Sequence, residues 1–110
     1  MVRYRIKWSV EAKLDLQNVL AFYNIRNQSN AYSKKLLGRV RKLVGYISIN
    51  PLIGRSTDIE NVRMFILGAY QIIYEIKEPR QIFIIMFWDC RRNPENRKIE
   101  MRQTPKISNL

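Results

Sequence analysis

The chain has 110 residues, of which 46% are apolar and 11% aromatic, enough for one modest core and too few for two. Twenty Lys and Arg against nine Asp and Glu give a formal charge of +11, so an anionic partner is expected. With no histidine and a single cysteine, Cys90, the usual neutral-pH base, the Ser-His and Cys-His nucleophiles, an internal disulfide and a structural zinc site are all excluded. No glycine-rich phosphate loop or metal-type carboxylate cluster is present, so neither a cofactor nor a metal is expected.

The opening residues alternate: Val2, Tyr4, Ile6 and Trp8 fall on one face, and Arg3, Arg5 and Lys7 on the other, as in a half-buried strand. This layout is neither a signal peptide nor a membrane span, so a cytoplasmic protein without membrane attachment is expected. Ser9 is a good N-cap, and beyond it Ala12, Leu16, Val19, Leu20 and Tyr23 recur at helical spacing, which predicts a first helix from about Val10 to Arg26. Asn27 to Asn30 supply a polar turn, with Ser29 or Asn30 as the next cap. Leu36, Val40, Leu43, Val44 and Ile47 then mark a second helix that stops before Pro51. So short a connection makes the two an antiparallel hairpin.

From Asp15 to Asp58 no acidic residue intervenes, whereas Arg26, Lys34, Lys35, Arg39, Arg41, Lys42 and Arg55 all fall in that interval. Lys35, Arg39 and Lys42 share one flank of the second helix; with Arg55 they are candidates for binding nucleic acid or an acidic protein, the alternative being a solvated face.

Pro51 to Asp58 reads as a surface loop. Three apolar runs follow, near Val62 to Leu67, Tyr70 to Ile76 and Gln81 to Trp88, joined by Gly68-Ala69 and Glu78-Pro79-Arg80 as an antiparallel meander. The last run is apolar at both parities, so each of its faces needs cover: helices on one, and on the other the C-terminal tail, a second copy of the chain or a partner. Residues 95–110 form a basic tail, expected to be partly loose, with a short helix near Glu95 to Arg102.

The whole is an α+β domain over residues 1–94, and the order of elements resembles the RelE/ParE superfamily of toxins from bacterial type II toxin–antitoxin systems. Ala12-Lys13-Leu14-Asp15-Leu16 with Tyr23 is similar to the family's first helix, and Asn50-Pro51 with Gly54-Arg55 to its proline-x-x-glycine loop. Asn61-Val62-Arg63-Met64-Phe65 resembles the strand bearing the family's arginine, Tyr70 to Ile76 its tyrosine-rich strand, and Asp89 to Pro94 its arginine-asparagine-proline exit. The resemblance implies growth inhibition, plasmid stabilisation and a cognate antitoxin as partner. It also implies one of two targets: DNA gyrase, as for ParE-like members, or the ribosome with its mRNA, which RelE-like members cut by driving a ribose 2′-hydroxyl onto the next phosphate.

Cleavage needs cations for the phosphate, a base and an acid. Arg63, Arg91 and Arg92 are the candidate cations, expected to meet at one end of the sheet; a purely structural alternative pairs Arg63 with an acid such as Glu75. Asp58 or Glu60 is the candidate base, while Lys77 and Arg80 lie too far out on a hairpin. Nuclease members carry a tail tyrosine or histidine, and nothing after Tyr74 here is either, which places the ParE-like reading first. A non-enzymatic basic nucleic-acid-binding module is the third reading, although no stacking-aromatic string or recognition helix supports it.

Overall fold

In the computed structural model, which describes residues 3–91 and 99–102, the chain forms strand β1 (Arg5–Trp8), helices α1 (Val10–Asn27) and α2 (Ala31–Ile49), and a 3-10 turn at Pro51–Ile53. Strands β2 (Arg55–Ser56), β3 (Val62–Leu67), β4 (Tyr70–Lys77) and β5 (Gln81–Asp89) and a short helix α3 (Ile99–Arg102) complete it. The strands make one five-stranded sheet in the order β1-β5-β4-β3-β2, antiparallel except for β1 beside β5.

Local chemistry sets the element ends. The Ser9 hydroxyl accepts from the Ala12 amide at 2.9 Å, opening α1, and Gln28 closes it in the left-handed region with φ 51°. At the second junction the Asn30 side chain makes no capping bond; the Ser29 hydroxyl accepts from Ala31 N at 3.1 Å. The α2 helix stops at Ile49, and Asn50 holds the 3-10 turn by accepting from Leu52 N at 3.3 Å. Gly68 makes the β3–β4 turn with φ 60°, a conformation that strains residues bearing a Cβ.

One face of the sheet packs on the hairpin: Tyr70, Ile72, Tyr74, Ile82, Ile84 and Phe87 meet Ala12, Leu16, Leu36, Val40, Leu43 and Ile47. The other carries Val62, Ile73, Ile85, Met86 and Trp88, against which Ile59 and Ile99 pack. Ile99 of the tail therefore supplies part of the second cover. The double apolar parity of β5 has a local cause. Tyr74 pairs with Ile84 and Ile73 with Met86, leaving Ile85 as a bulge. Past the bulge the alternation inverts, so Ile82 and Ile84 face the helices before it and Phe87 after it.

β1 pairs only with Gln81 to Ile84, so the rest of β5 would be a bare edge. Side chains close it. Ser9 Oγ donates to Ile85 O at 3.4 Å, and the Asp15 carboxylate accepts from Phe87 N at 3.2 Å. Arg102 of α3 donates to the same Asp15 oxygen at 2.6 Å and approaches Glu11 at 3.6 Å. This gives the Ala12-to-Leu16 string a physical meaning: two buried apolar residues bracket a carboxylate that mends a strand edge. Among the described residues no helix is long and apolar enough to cross a membrane. Of the expected tail helix, only Ile99 to Arg102 lies within the described residues.

Candidate functional site

Arg63, the second residue of β3, lies opposite Tyr74. Its Nη1 donates to Gly54 O at 2.6 Å and to Leu52 O at 3.3 Å. The Tyr74 hydroxyl completes the joint, donating to Pro51 O at 2.6 Å and accepting from Gly54 N at 2.9 Å. Burial raises the Tyr74 phenol above its ordinary value, against the opposing pull of the Gly54 amide and the Arg63 charge. Gly54 is required by space: a Cβ there would stand 2.5 Å from the Tyr74 hydroxyl. Arg63 thus braces the proline–glycine loop. The alternative pairing with Glu75 is not formed, because Glu75 lies opposite Val62, one residue along, and so faces the other side of the sheet.

Beside this joint is a cavity of about 270 Å³ whose lining includes Ser56, Thr57, Glu60, Asn61 and Arg63. It brings together one candidate cation and one candidate base. Asp58 stands exposed in the same loop, outside that lining, and Arg55 is exposed on β2 opposite Met64.

Arg91 stands elsewhere. It follows Asp89, whose cross-strand partner is Tyr70, while Arg63 is level with Tyr74. The four residue steps from Tyr70 to Tyr74 alone span roughly 13 Å of strand. The two arginines therefore lie toward opposite ends of the sheet, which corrects the expectation that they meet: the β3–β4 turn, not the start of β3, lies level with the end of β5. Arg92 lies outside the described residues.

Around Arg91 is a cluster that sequence reasoning missed. The two Asp89 carboxylate oxygens accept from Nε and Nη2, each at 2.9 Å, and Nη2 also donates to the Tyr23 hydroxyl at 2.8 Å. The Tyr70 hydroxyl lies 3.4 Å from Nη2 and 3.3 Å from the Tyr32 hydroxyl. The Tyr23 and Tyr32 rings pack at 4.6 Å, and Tyr70 stacks on Phe87 at 5.1 Å. The hydrogen bond from Arg91 lowers the Tyr23 phenol below its usual value, whereas burial and then the Tyr32 and Tyr23 hydroxyls raise that of Tyr70. Asp89, and after it Tyr23, hold Arg91 firmly protonated. The tyrosines come from α1, α2 and β4, so only the tertiary fold assembles them.

Lys35, Arg39 and Lys42 are exposed along α2. Arg39 and Lys42 overhang a groove of about 350 Å³ floored by Leu43, Tyr46, Phe65 and Leu67, and Lys35 lies outside that lining. A larger groove, about 430 Å³, runs between the helices, lined by Trp8, Leu16, Leu20, Leu37 and Val40 with Lys13, Gln17 and Arg41 at its rim. Apolar floors with cationic rims suit amphipathic, acidic protein segments. Among the described residues no group of His, Cys, Asp and Glu is arranged to hold a metal.

A helical hairpin on a five-stranded sheet, with a proline–glycine loop braced by a strand arginine, is a fold of the RelE/ParE type. The family model described as the ParE toxin of type II toxin–antitoxin systems matches residues 6–94, and the chain belongs to that family. Among solved structures, the fold is similar to a chain of the chromosomal ParDE toxin–antitoxin system of P. aeruginosa, with TM-score 0.65 and 19% identity, covering 77% of this chain and 94% of that one. It is similar also to a chain of the toxin–antitoxin complex RelBE2 of Mycobacterium tuberculosis, with TM-score 0.58 and 20% identity, covering 78% and 96%. No curated protein sequence matches the chain.

Proposed function

We propose that the chain is the growth-inhibiting member of its toxin–antitoxin pair and acts in the cytoplasm by binding DNA gyrase, without cutting RNA. The observation that carries this reading is the disposition of the arginines. Arg63 is engaged by two backbone carbonyls and Arg91 by Asp89, toward opposite ends of the sheet. A phosphate cradle requires guanidinium groups that converge on one point with donors free. Both arginines instead build surface, Arg63 by setting the proline–glycine loop and Arg91 by tying α1 to the end of β5.

The partner in this reading is an antitoxin whose amphipathic segment lies in the groove between the helices, held at the rim by Lys13 and Arg41 and attracted from a distance by the basic flank of Lys35, Arg39 and Lys42 across α2. Residues 1–94 form the toxin body and residues 95–110 a basic tail. The test begins with the chain expressed alone, which should arrest growth. Co-expression of the product of the adjacent reading frame should relieve the arrest, and the two should co-purify. An adjacent product that neither relieves arrest nor binds at micromolar concentration contradicts the antitoxin assignment.

A second reading, a ribosome-dependent mRNA endonuclease, draws on the cavity shared by Glu60 and Arg63. It has one cation and one carboxylate in place, and it requires Arg63 to leave the loop carbonyls when substrate enters.

A further inference from the structure

Helix α1 is apolar on two faces. Ala12, Leu16 and Val19 are buried in the core. On the opposite side, at 100° per residue, Val10, Leu14, Ala21 and Ile25 form a second stripe, with Gln17 and Asn18 at its middle. Val10 is 74% exposed, Leu14 50% and Ile25 79%. Single exposed apolar residues are ordinary, but a stripe along a whole helix calls for cover. It also holds no charged residue, in a chain of net charge +11.

The stripe is symmetrical. Residues 10, 14, 17, 18, 21 and 25 are separated by 4, 3, 1, 3 and 4 positions, the same read in either direction. A two-fold axis passing between Gln17 and Asn18 therefore lays the stripe on itself antiparallel. Val10 meets Ile25 of the other copy, Leu14 meets the smaller Ala21, and the amides of Gln17 and Asn18 meet at the axis. Any face of an α-helix has this spacing; what suits this one to an isologous contact is that the axis sets apolar residues against apolar residues and amides against amides.

We propose that the outer face of α1 is a homodimer interface, in which α1 pairs antiparallel with α1 of a second copy. Charge supports this occupant over an acidic partner, because the stripe holds no cation to attract one and no charge to repel a second copy. Glu11 and Arg26 lie on the same flank of α1 near its two ends. The antiparallel pairing brings Arg26 of each copy beside Glu11 of the other. Glu11 remains available: its contact with Arg102 is long, at 3.6 Å, and its side chain is 57% exposed. The groove between α1 and α2 shares only Gln17 with the stripe, so each copy keeps the rest of that groove for an antitoxin.

A contact confined to one helix face lies at the small end of interface sizes, so the dimer should be concentration-dependent. Sedimentation equilibrium of the purified full chain, from micromolar upward, should show monomer and dimer, and Ile25→Glu should abolish the dimer while leaving the circular dichroism unchanged. The register has its own readout in a Cys90→Ser background. Mixing Leu14→Cys with Ala21→Cys should give the mixed disulfide on oxidation, whereas two Leu14→Cys chains, whose residues lie roughly 10 Å apart along the axis, should cross-link poorly. A chain that stays monomeric, a dimer that survives Ile25→Glu, or Leu14→Cys self-linkage exceeding the mixed product would each overturn the proposal.

Discussion

Arg63 and Gly54 are joined by a 2.6 Å hydrogen bond from the guanidinium to the carbonyl, while the Gly54 amide donates to Tyr74. Both polar groups of one loop residue are thus held by side chains of adjacent strands. Replacing Gly54 with alanine places a methyl 2.5 Å from the Tyr74 hydroxyl and 3.0 Å from Met64 O, so the loop must move. Gly54→Ala should lower stability by about 1–3 kcal/mol. A denaturant titration checks this; an unchanged midpoint contradicts the brace.

Arg63→Ala removes donors from two carbonyls and should cost about 1–3 kcal/mol. Arg63→Lys, with one ammonium in place of a planar fork, should recover only part of it. An arginine held for catalysis alone would behave differently, its alanine variant retaining full stability while losing activity.

Asp15 serves a strand edge and a helix at once. Asp15→Ala leaves the Phe87 amide without its acceptor and releases Arg102, so a loss of about 1–3 kcal/mol is expected. Arg102→Ala should cost less, because Asp15 keeps the Phe87 amide. Amide exchange at Phe87 should quicken in the first variant and stay slow in the second.

Tyrosine ionisation provides a pH test. Arg91 lowers the Tyr23 phenol, while burial raises those of Tyr70 and Tyr74. In an alkaline absorbance titration Tyr23 should therefore ionise first, below the ordinary value of 10.0, and Arg91→Ala should move it up. The signs for stability differ. The raised pair contributes stability that is fully present below pH 10.0 and lost as pH climbs toward their folded values. Tyr23 contributes the opposite way, with stability present above pH 10.0 and lost as pH falls through its lower folded value. Above pH 10.0 only the raised pair still titrates, so stability should fall there in Tyr23→Phe as in the parent chain, and the two should differ below pH 10.0, where Tyr23 adds stability as it ionises.

If the basic flank steers the antitoxin, raising salt should slow association, and charge reversal of Lys35, Arg39 and Lys42 should slow it further while dissociation changes less. Stopped-flow rates insensitive to both changes would assign the three residues to solvation.

Helices and main strands were legible because their signals are local: the Ser9 cap, the apolar spacing from Ala12 to Tyr23, the barrier at Pro51 and the turn at Gly68. Strand β2 was not, since two exposed residues carry no periodicity and pair only because Arg63 and Tyr74 hold the loop before them. Nor was the Ile85 bulge, which a run apolar at both parities conceals. Asn30 fits a cap by type, but the Ser29 hydroxyl makes the bond. The site was hardest to read. Arg63 and Arg91 look like neighbours when the chain is scanned for cations, yet the hairpin at Gly68 sets the end of β5 beside Tyr70. The Tyr23, Tyr32 and Tyr70 cluster depends on contacts between residues far apart in sequence, with nothing local to announce it.

The most direct measurement presents the purified chain to two targets in parallel, DNA gyrase supercoiling a relaxed plasmid and ribosomes programmed with a defined mRNA, with and without antitoxin. The account predicts that supercoiling is inhibited, that antitoxin restores it, and that the mRNA stays intact at the same toxin concentration. Cleavage of mRNA in the ribosomal A site, lost in Arg63→Ala or Glu60→Gln chains that remain folded, would contradict it.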